Sequence, residues 1–187
     1  RSTVADVVTD KLGPHLQNVY AFMYDAQNDD FSLISTSSHS TESYSTLVDI
    51  DTSAAASETD HAPASYQVYR NGSNVDTVTA AYIAGDGSLN ERTVTLEAPS
   101  ASSPLGTQHQ ISASTAYAGR QLATCKYAGD RYCFASTATG IDAFVDTGDT
   151  GVWSAAINWK TGLTNPVLSQ VVAIDGVGLM IAYGDNG

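Results

Sequence analysis

The sequence predicts an all-β fold: an antiparallel β-sandwich or β-barrel, jelly-roll-like, with little helix. Three observations carry this expectation. Short runs rich in β-branched and aromatic residues, partly alternating in polarity, recur along the chain. Clusters of Gly, Asn, Asp and Pro separate them. The runs follow one another at about 8 to 12 residues, the spacing of sandwiches and barrels. No tandem repeat of fixed period is visible, which argues against propellers and solenoids.

The chain opens with residues 1–16, "RSTVADVVTDKLGPHL", read as a linker or arm, with Val4, Val7, Val8 and Leu12 at helical spacing. Residues 17–187 are read as one β domain. Its strand signals are "NVYAFMY", "FSLIST", "YSTLVDI", "SYQVYR", "VDTVTAAYI", "RTVTLEA", "HQISAS", "RYCFAS", "VWSAAINW", "VLSQVVAI" and "VGLMIAY". Asn71-Gly72 and Asp175-Gly176 are hairpin signals, because these dipeptides tolerate the positive φ that tight turns require. The dense apolar content around Asp175-Gly176 predicts strands buried on both faces. Ala118, Leu122 and Cys125 recur at helical spacing. The stretches 35–43, 52–64 and 98–107 are small, polar and Pro- or hydroxyl-rich, and read as surface loops.

Length and charge exclude several functions. A chain of 187 residues has the size of one domain and needs neither metal nor disulfide to hold a core. A net charge of −12 with only 8 Lys and Arg opposes binding to nucleic acid and to anionic membrane surfaces. No apolar run is long enough to span a bilayer as a helix. The chain begins at Arg1, with neither Met nor a leader, and reads as a processed or excised piece. Cys125 and Cys133 flank "KYAGDRY", whose centre could turn a hairpin; a disulfide between them and two buried free thiols are the alternatives.

Candidate sites are sparse. The segment 144–153, "FVDTGDTGVW", resembles the aspartic peptidase active-site loop: Phe144 and Val145 precede Asp146-Thr147-Gly148, and Trp153 follows. That family needs two such aspartates facing each other. The second copy, Asp149-Thr150-Gly151, is only three residues away, and 41 residues remain after Asp146 (187 − 146). Asp and Gly here predict a turn, with Asp146 structural or partner-facing and not catalytic. A nucleophile elbow, H-E-x-x-H, a P-loop and a calcium-hand loop are absent, and His15, His39, His61 and His109 are scattered. The chain is therefore expected not to be an enzyme and to use no cofactor. No metal site is expected: Asp49, Asp51 and Asp60 are the candidates for holding calcium through oxygen ligands, and a solvated acidic strand edge that discourages edge pairing is the alternative. Ser37, His39, Glu42, Asp60, His61 and Ser102, all on polar loops, are the candidate binding residues.

Acidic, Lys-poor, Ser/Thr-rich and β-rich, with long polar loops behind the arm "RSTVADVVTDKLGP", the chain resembles the protruding (spike) domain of non-enveloped RNA virus capsid proteins. The resemblance implies a virion-surface or extracellular location, self-association as a homodimer or homotrimer, and host attachment through a receptor protein or glycan. The alternative is a secreted carbohydrate-binding module or lectin, with Trp153, Trp159 and Asp149 as its sugar-facing residues.

Overall fold

A computed structural model describes residues 2–9, 19–25, 30–36, 45–51, 64–65, 69–70, 76–95 and 105–187. The fold is all-β and antiparallel, as the sequence predicts; among the described residues the only helical turn is a single 3-10 turn at Thr115–Tyr117. Among the described residues fifteen strands pair almost entirely with their neighbours in sequence. The first sheet is the meander β1 (Ser2–Thr9), β2 (Val19–Asp25), β3 (Asp30–Thr36), β4 (Ser45–Asp51). In the second, two short pieces, β5 (Ala64–Ser65) and β6 (Tyr69–Arg70), share the edge of β7 (Asp76–Ile83), followed by β8 (Leu89–Thr95) and β9 (Leu105–Ser112). The third is β10 (Leu122–Tyr127), β11 (Asp130–Ser136), β12 (Gly140–Asp146), β13 (Ile157–Thr161). The fourth is only a hairpin, β14 (Val167–Ile174) and β15 (Gly178–Gly184).

The sheets stack face to face, and strand alternation decides which core each residue enters. On β7, Val78, Ala80 and Tyr82 face the first sheet, where Phe31 lies 5.2 Å from the Tyr82 ring. Ala81 and Ile83 face the third sheet with Leu122, Cys133 and Phe144. The opposite face of that third sheet, with Ala123, Phe134, Ile141 and Ala143, meets Leu168 and Val171 of the hairpin. The first strands lie side by side: β1 against β5, β5 against β10, β10 against β14. Consecutive four-stranded meanders with their first strands gathered together form the arrangement of propeller blades. Among the described residues three sheets have four or more strands and the fourth has two. The sequence carries no fixed period because each blade is specified by pairing and alternation, not by repeated residues.

Several expectations need correction. Ser2–Thr9 is no arm but strand β1, antiparallel to β2; Val4 opposes Met23 and Val8 opposes Tyr20, so its helical spacing is overridden by pairing. Leu122 and Cys125 belong to strand β10, and Ala118 to the turn before it. β9 begins at Leu105, inside the stretch 98–107 read as loop. The β10–β11 hairpin turns at Ala128 and Gly129, with φ of 53° and 92°, the left-handed pair a two-residue turn needs. Its register places Cys125 opposite Tyr132 and Cys133 opposite Thr124. The two thiols thus leave the sheet on opposite faces, Cys125 toward the hairpin and Cys133 into the core beneath, and both are free. Burial raises both thiols, Cys125 to about 11. Asp175-Gly176 does turn the last hairpin, but its strands are buried on one face only, since Val172 and Met180 stand paired on the open side. Asn71-Gly72 lies outside the described residues.

Candidate functional site

The sequence holds few cations, and one of them falls inside a strand packed between other sheets. Arg131 on β11 has a side chain only 8% exposed, which demands partners in a medium poor in water. It finds three carboxylates. Its Nη1 donates to Glu91 Oε2 on β8 at 2.7 Å, its Nε and Nη2 donate to Asp146 Oδ2 at the end of β12, and its Nε lies 2.7 Å from Asp149 Oδ1. Trp153 stacks on the guanidinium, 5.3 Å from ring centroid to Cζ. His109 Nδ1 on β9 stands 3.3 Å from Glu91 Oε1, and Lys126 Nζ reaches Asp149 at 2.5 Å. One buried guanidinium therefore ties the second sheet to the third.

The loop "DTGDTG" is built around Asp146. Its Oδ1 accepts from the Thr150 amide at 2.9 Å and hydroxyl at 2.8 Å, and Oδ2 accepts from the Gly151 amide at 2.8 Å. Gly148, Asp149 and Gly151 take positive φ, and a Cβ on Gly151 would overlap the His109 ring at 2.0 Å from Nδ1. Burial works to raise the Asp146 pKa, but the bonds from Arg131, Thr150 and Gly151 outweigh it and hold the carboxyl below its ordinary value. Glu91 moves the other way: burial pushes it up, and the Arg131 charge opposes this only in part. An aspartic dyad shares a proton between two acids; Asp146 is instead held ionised by a cation, in the turn the sequence predicts. Glu91, Arg131 and Asp146 are buried at the centre of this cluster, with Asp149, His109 and Lys126 at its rim.

At the opposite end of the sheets, polar side chains converge where the first strands begin. Arg120 Nη1 donates to Asn165 Oδ1 at 3.3 Å, joining the connection before β10 to that before β14. Gln121 Oε1 accepts from the Leu168 amide at 3.1 Å. Asp185, after β15, accepts from the Thr164 amide at 2.7 Å, and Asn186 Nδ2 donates to the Asn165 carbonyl at 3.1 Å. Asn165 is held at φ 45°, and Arg120 is half-buried while Asn165 and Asp185 are exposed. The connections before β10 and β14 and the segment after β15 thus bring a guanidinium, amides and a carboxylate together at this end.

Most candidates from the sequence do not meet. Ser37, His39, Glu42, Asp60, His61 and Ser102 lie outside the described residues. Asp49 is exposed and accepts from Ser32 Oγ at 2.7 Å; Asp51 is half-buried nearby, and no metal-ligating group of three or more His, Cys, Asp or Glu forms among the described residues. Of the proposed sugar-facing trio, Asp149 is held by Arg131 and Lys126, and Trp153 is half-buried over Arg131, its Nε1 without a well-formed hydrogen bond. Trp159 keeps an open flank at 44% exposure, set edge-on against Phe134 and Tyr183. The sequence reading missed Glu91, Arg131, Arg120 and Asn165. The signal was there for Arg131: a strand "RYCFAS" that buries itself must supply a partner for its cation.

No family model matches the chain, and no curated protein matches it in sequence. Solved structures do share its fold. An exo-β-1,3-galactanase from Clostridium thermocellum superposes with a TM-score of 0.54 at 11% identity, over 95% of this chain and 40% of that one. The NanB sialidase from Streptococcus pneumoniae superposes with a TM-score of 0.51 at 13% identity, over 90% of this chain and 26% of that one. This chain therefore spans well under half the length of either. The expectation that it is not an enzyme is corrected by these neighbours, because the fold is one that glycoside hydrolases are built on. That expectation rested on missing linear motifs, and glycoside hydrolysis uses carboxylates brought together in space, with no motif to find.

Proposed function

We propose that the chain is a carbohydrate-engaging β domain of propeller type, meeting its glycan at the end of the sheets where the first strands begin. One observation carries the reading: the side-by-side first strands of successive sheets, in a fold shared with a galactanase and a sialidase. Binding sites gather a few convergent polar groups on loops positioned by a rigid scaffold. Arg120, Asn165 and Asp185 are such a group, since planar donors and acceptors pair with sugar hydroxyls as they pair with each other. This favours the carbohydrate-binding alternative over the attachment-domain reading, for which the comparisons offer nothing.

The test is a glycan array that includes β-1,3-linked galacto-oligosaccharides and sialosides, read with the parent chain and with Arg120→Ala, Asn165→Ala and Trp159→Ala. Binding to a defined glycan class, weakened about tenfold by the first two and unchanged by the third, is the expected pattern. A blank array, or binding that depends on Trp159 alone, sinks the reading.

A further inference from the structure

Acids outnumber bases 20 to 8 in this chain, and two of its arginines meet that excess in opposite ways. Arg131 lies within reach of three carboxylates, Glu91, Asp146 and Asp149. Arg120 is also half-buried, yet among the described residues no carboxylate comes within ion-pairing distance of it. Its one hydrogen bond there is to the neutral Asn165 Oδ1, at a long 3.3 Å. A cation drawn partly out of water with no counter-charge loses hydration and gains little in return.

The acceptors around Arg120 are committed elsewhere. Asp185 Oδ1 accepts from the Thr164 amide at 2.7 Å and from the Gly187 amide at 3.3 Å. The Asn165 carbonyl accepts from Asn186 Nδ2, and the Asn165 amide N–H donates to the Ala138 carbonyl at 2.9 Å. These bonds hold Asn165 at φ 45° and fix its side chain beside the guanidinium. What is left over is all donor: Arg120 Nε and Nη2 and Asn165 Nδ2 find no acceptor among the described residues. A sugar hydroxyl both donates and accepts, and satisfies such a group only in part. A carboxylate only accepts, through two coplanar oxygens that match a guanidinium fork in charge and in shape.

We infer that Arg120 and Asn165 form a carboxylate subsite, so that the glycan engaged at this end carries a hexuronic acid; the inference rests on the carbohydrate reading above. The sugar carboxylate takes Nε and Nη2 of Arg120, and Asn165 Nδ2 donates to the same group. One negative charge matches one guanidinium, while the net charge of −12 disfavours ligands that carry more. A neutral sugar bonds at the same place through its hydroxyls, without the ion pair.

The probes are galacturonosyl-β-1,3-galactose and galactosyl-β-1,3-galactose, which differ only in a carboxylate or a hydroxymethyl group on one ring. Each is titrated into the chain by calorimetry at neutral pH. The uronide should bind about tenfold more tightly. Arg120→Gln keeps a donor and removes the charge, and should abolish that preference. Asn165→Asp keeps a residue that tolerates positive φ and gives Arg120 a counter-charge of its own, and should abolish it too. The ratio of two affinities within one variant does not move with a partial loss of folded protein, so a merely structural role cannot mimic the result. Equal binding of both probes by the parent, or a preference that survives Arg120→Gln, overturns the inference and leaves the carbohydrate reading standing. If neither probe binds, the inference falls, and the glycan array decides the carbohydrate reading separately.

Discussion

The two faces of the third sheet solve the same packing problem in opposite ways. Toward the second sheet it is closed by charge: Arg131 bridges to Glu91, Asp146 folds the following loop back over the pair, and Trp153 caps the guanidinium. Toward the hairpin it is apolar throughout and only half covered, with Trp159 and Ile157 left at the rim. The charged face tolerates one arrangement only, because any buried charge left unpaired is costly. Contacts on the apolar face are non-directional and leave Ile157 and Trp159 partly exposed. One face fixes how the sheets sit by charge, and the other holds by burial alone.

The largest effect should come from breaking the charged side. Arg131→Ala leaves Glu91 and Asp146 buried without their cation and should cost about 3–5 kcal/mol by denaturant unfolding. Gly151→Ala forces a Cβ into His109 at a residue held at φ 79°, and a loss of about 1–3 kcal/mol is expected. On the apolar side, Trp159→Ala removes a half-exposed ring and should cost no more than about 1–2 kcal/mol. Lys126→Ala should change stability by less than about 1 kcal/mol, because the pair it makes with Asp149 lies at the surface. If Trp159→Ala proved costlier than Arg131→Ala, the contrast between the two faces would be wrong.

Acid sharpens the same contrast. Asp146 is held below its ordinary value, so the stability it contributes is present above that value and lost as pH falls through the folded one. Glu91 is raised, so its contribution has the opposite sign: it is present below the ordinary carboxylate range and lost as pH rises through the raised value. At neutral pH Asp146→Asn should therefore destabilise more than Glu91→Gln. Unfolding curves of the two variants from neutral to acid pH should show the Asp146→Asn deficit shrinking as acid is reached.

The sequence made the fold class legible because strand propensity and turn chemistry are local. The turn at "DTGDTG" and the hairpin at Asp175-Gly176 were readable for the same reason. Arrangement was not local. Cys125 and Cys133 flank a genuine hairpin, yet a register that pairs each with the neighbour of the other sends them to opposite faces. Arg131 and Glu91 are 40 residues apart, and only the stacking of sheets brings them together. The polar group of Arg120, Asn165 and Asp185 draws on two connections and the segment after β15, with no shared motif. The helical spacing of Val4, Val7 and Val8 misled because β pairing overrides a short apolar pattern.

The account turns on where a glycan would sit. Chemical-shift mapping of the isotope-labelled chain with a β-1,3-linked galacto-oligosaccharide reads this directly. Shifts that saturate and cluster on Arg120, Asn165 and Asp185, while Arg131, Asp146 and the "DTGDTG" loop stay unmoved, are the result expected. Shifts centred on the Arg131 cluster or on Trp159, or none at concentrations where other glycan classes also fail to bind, would contradict it.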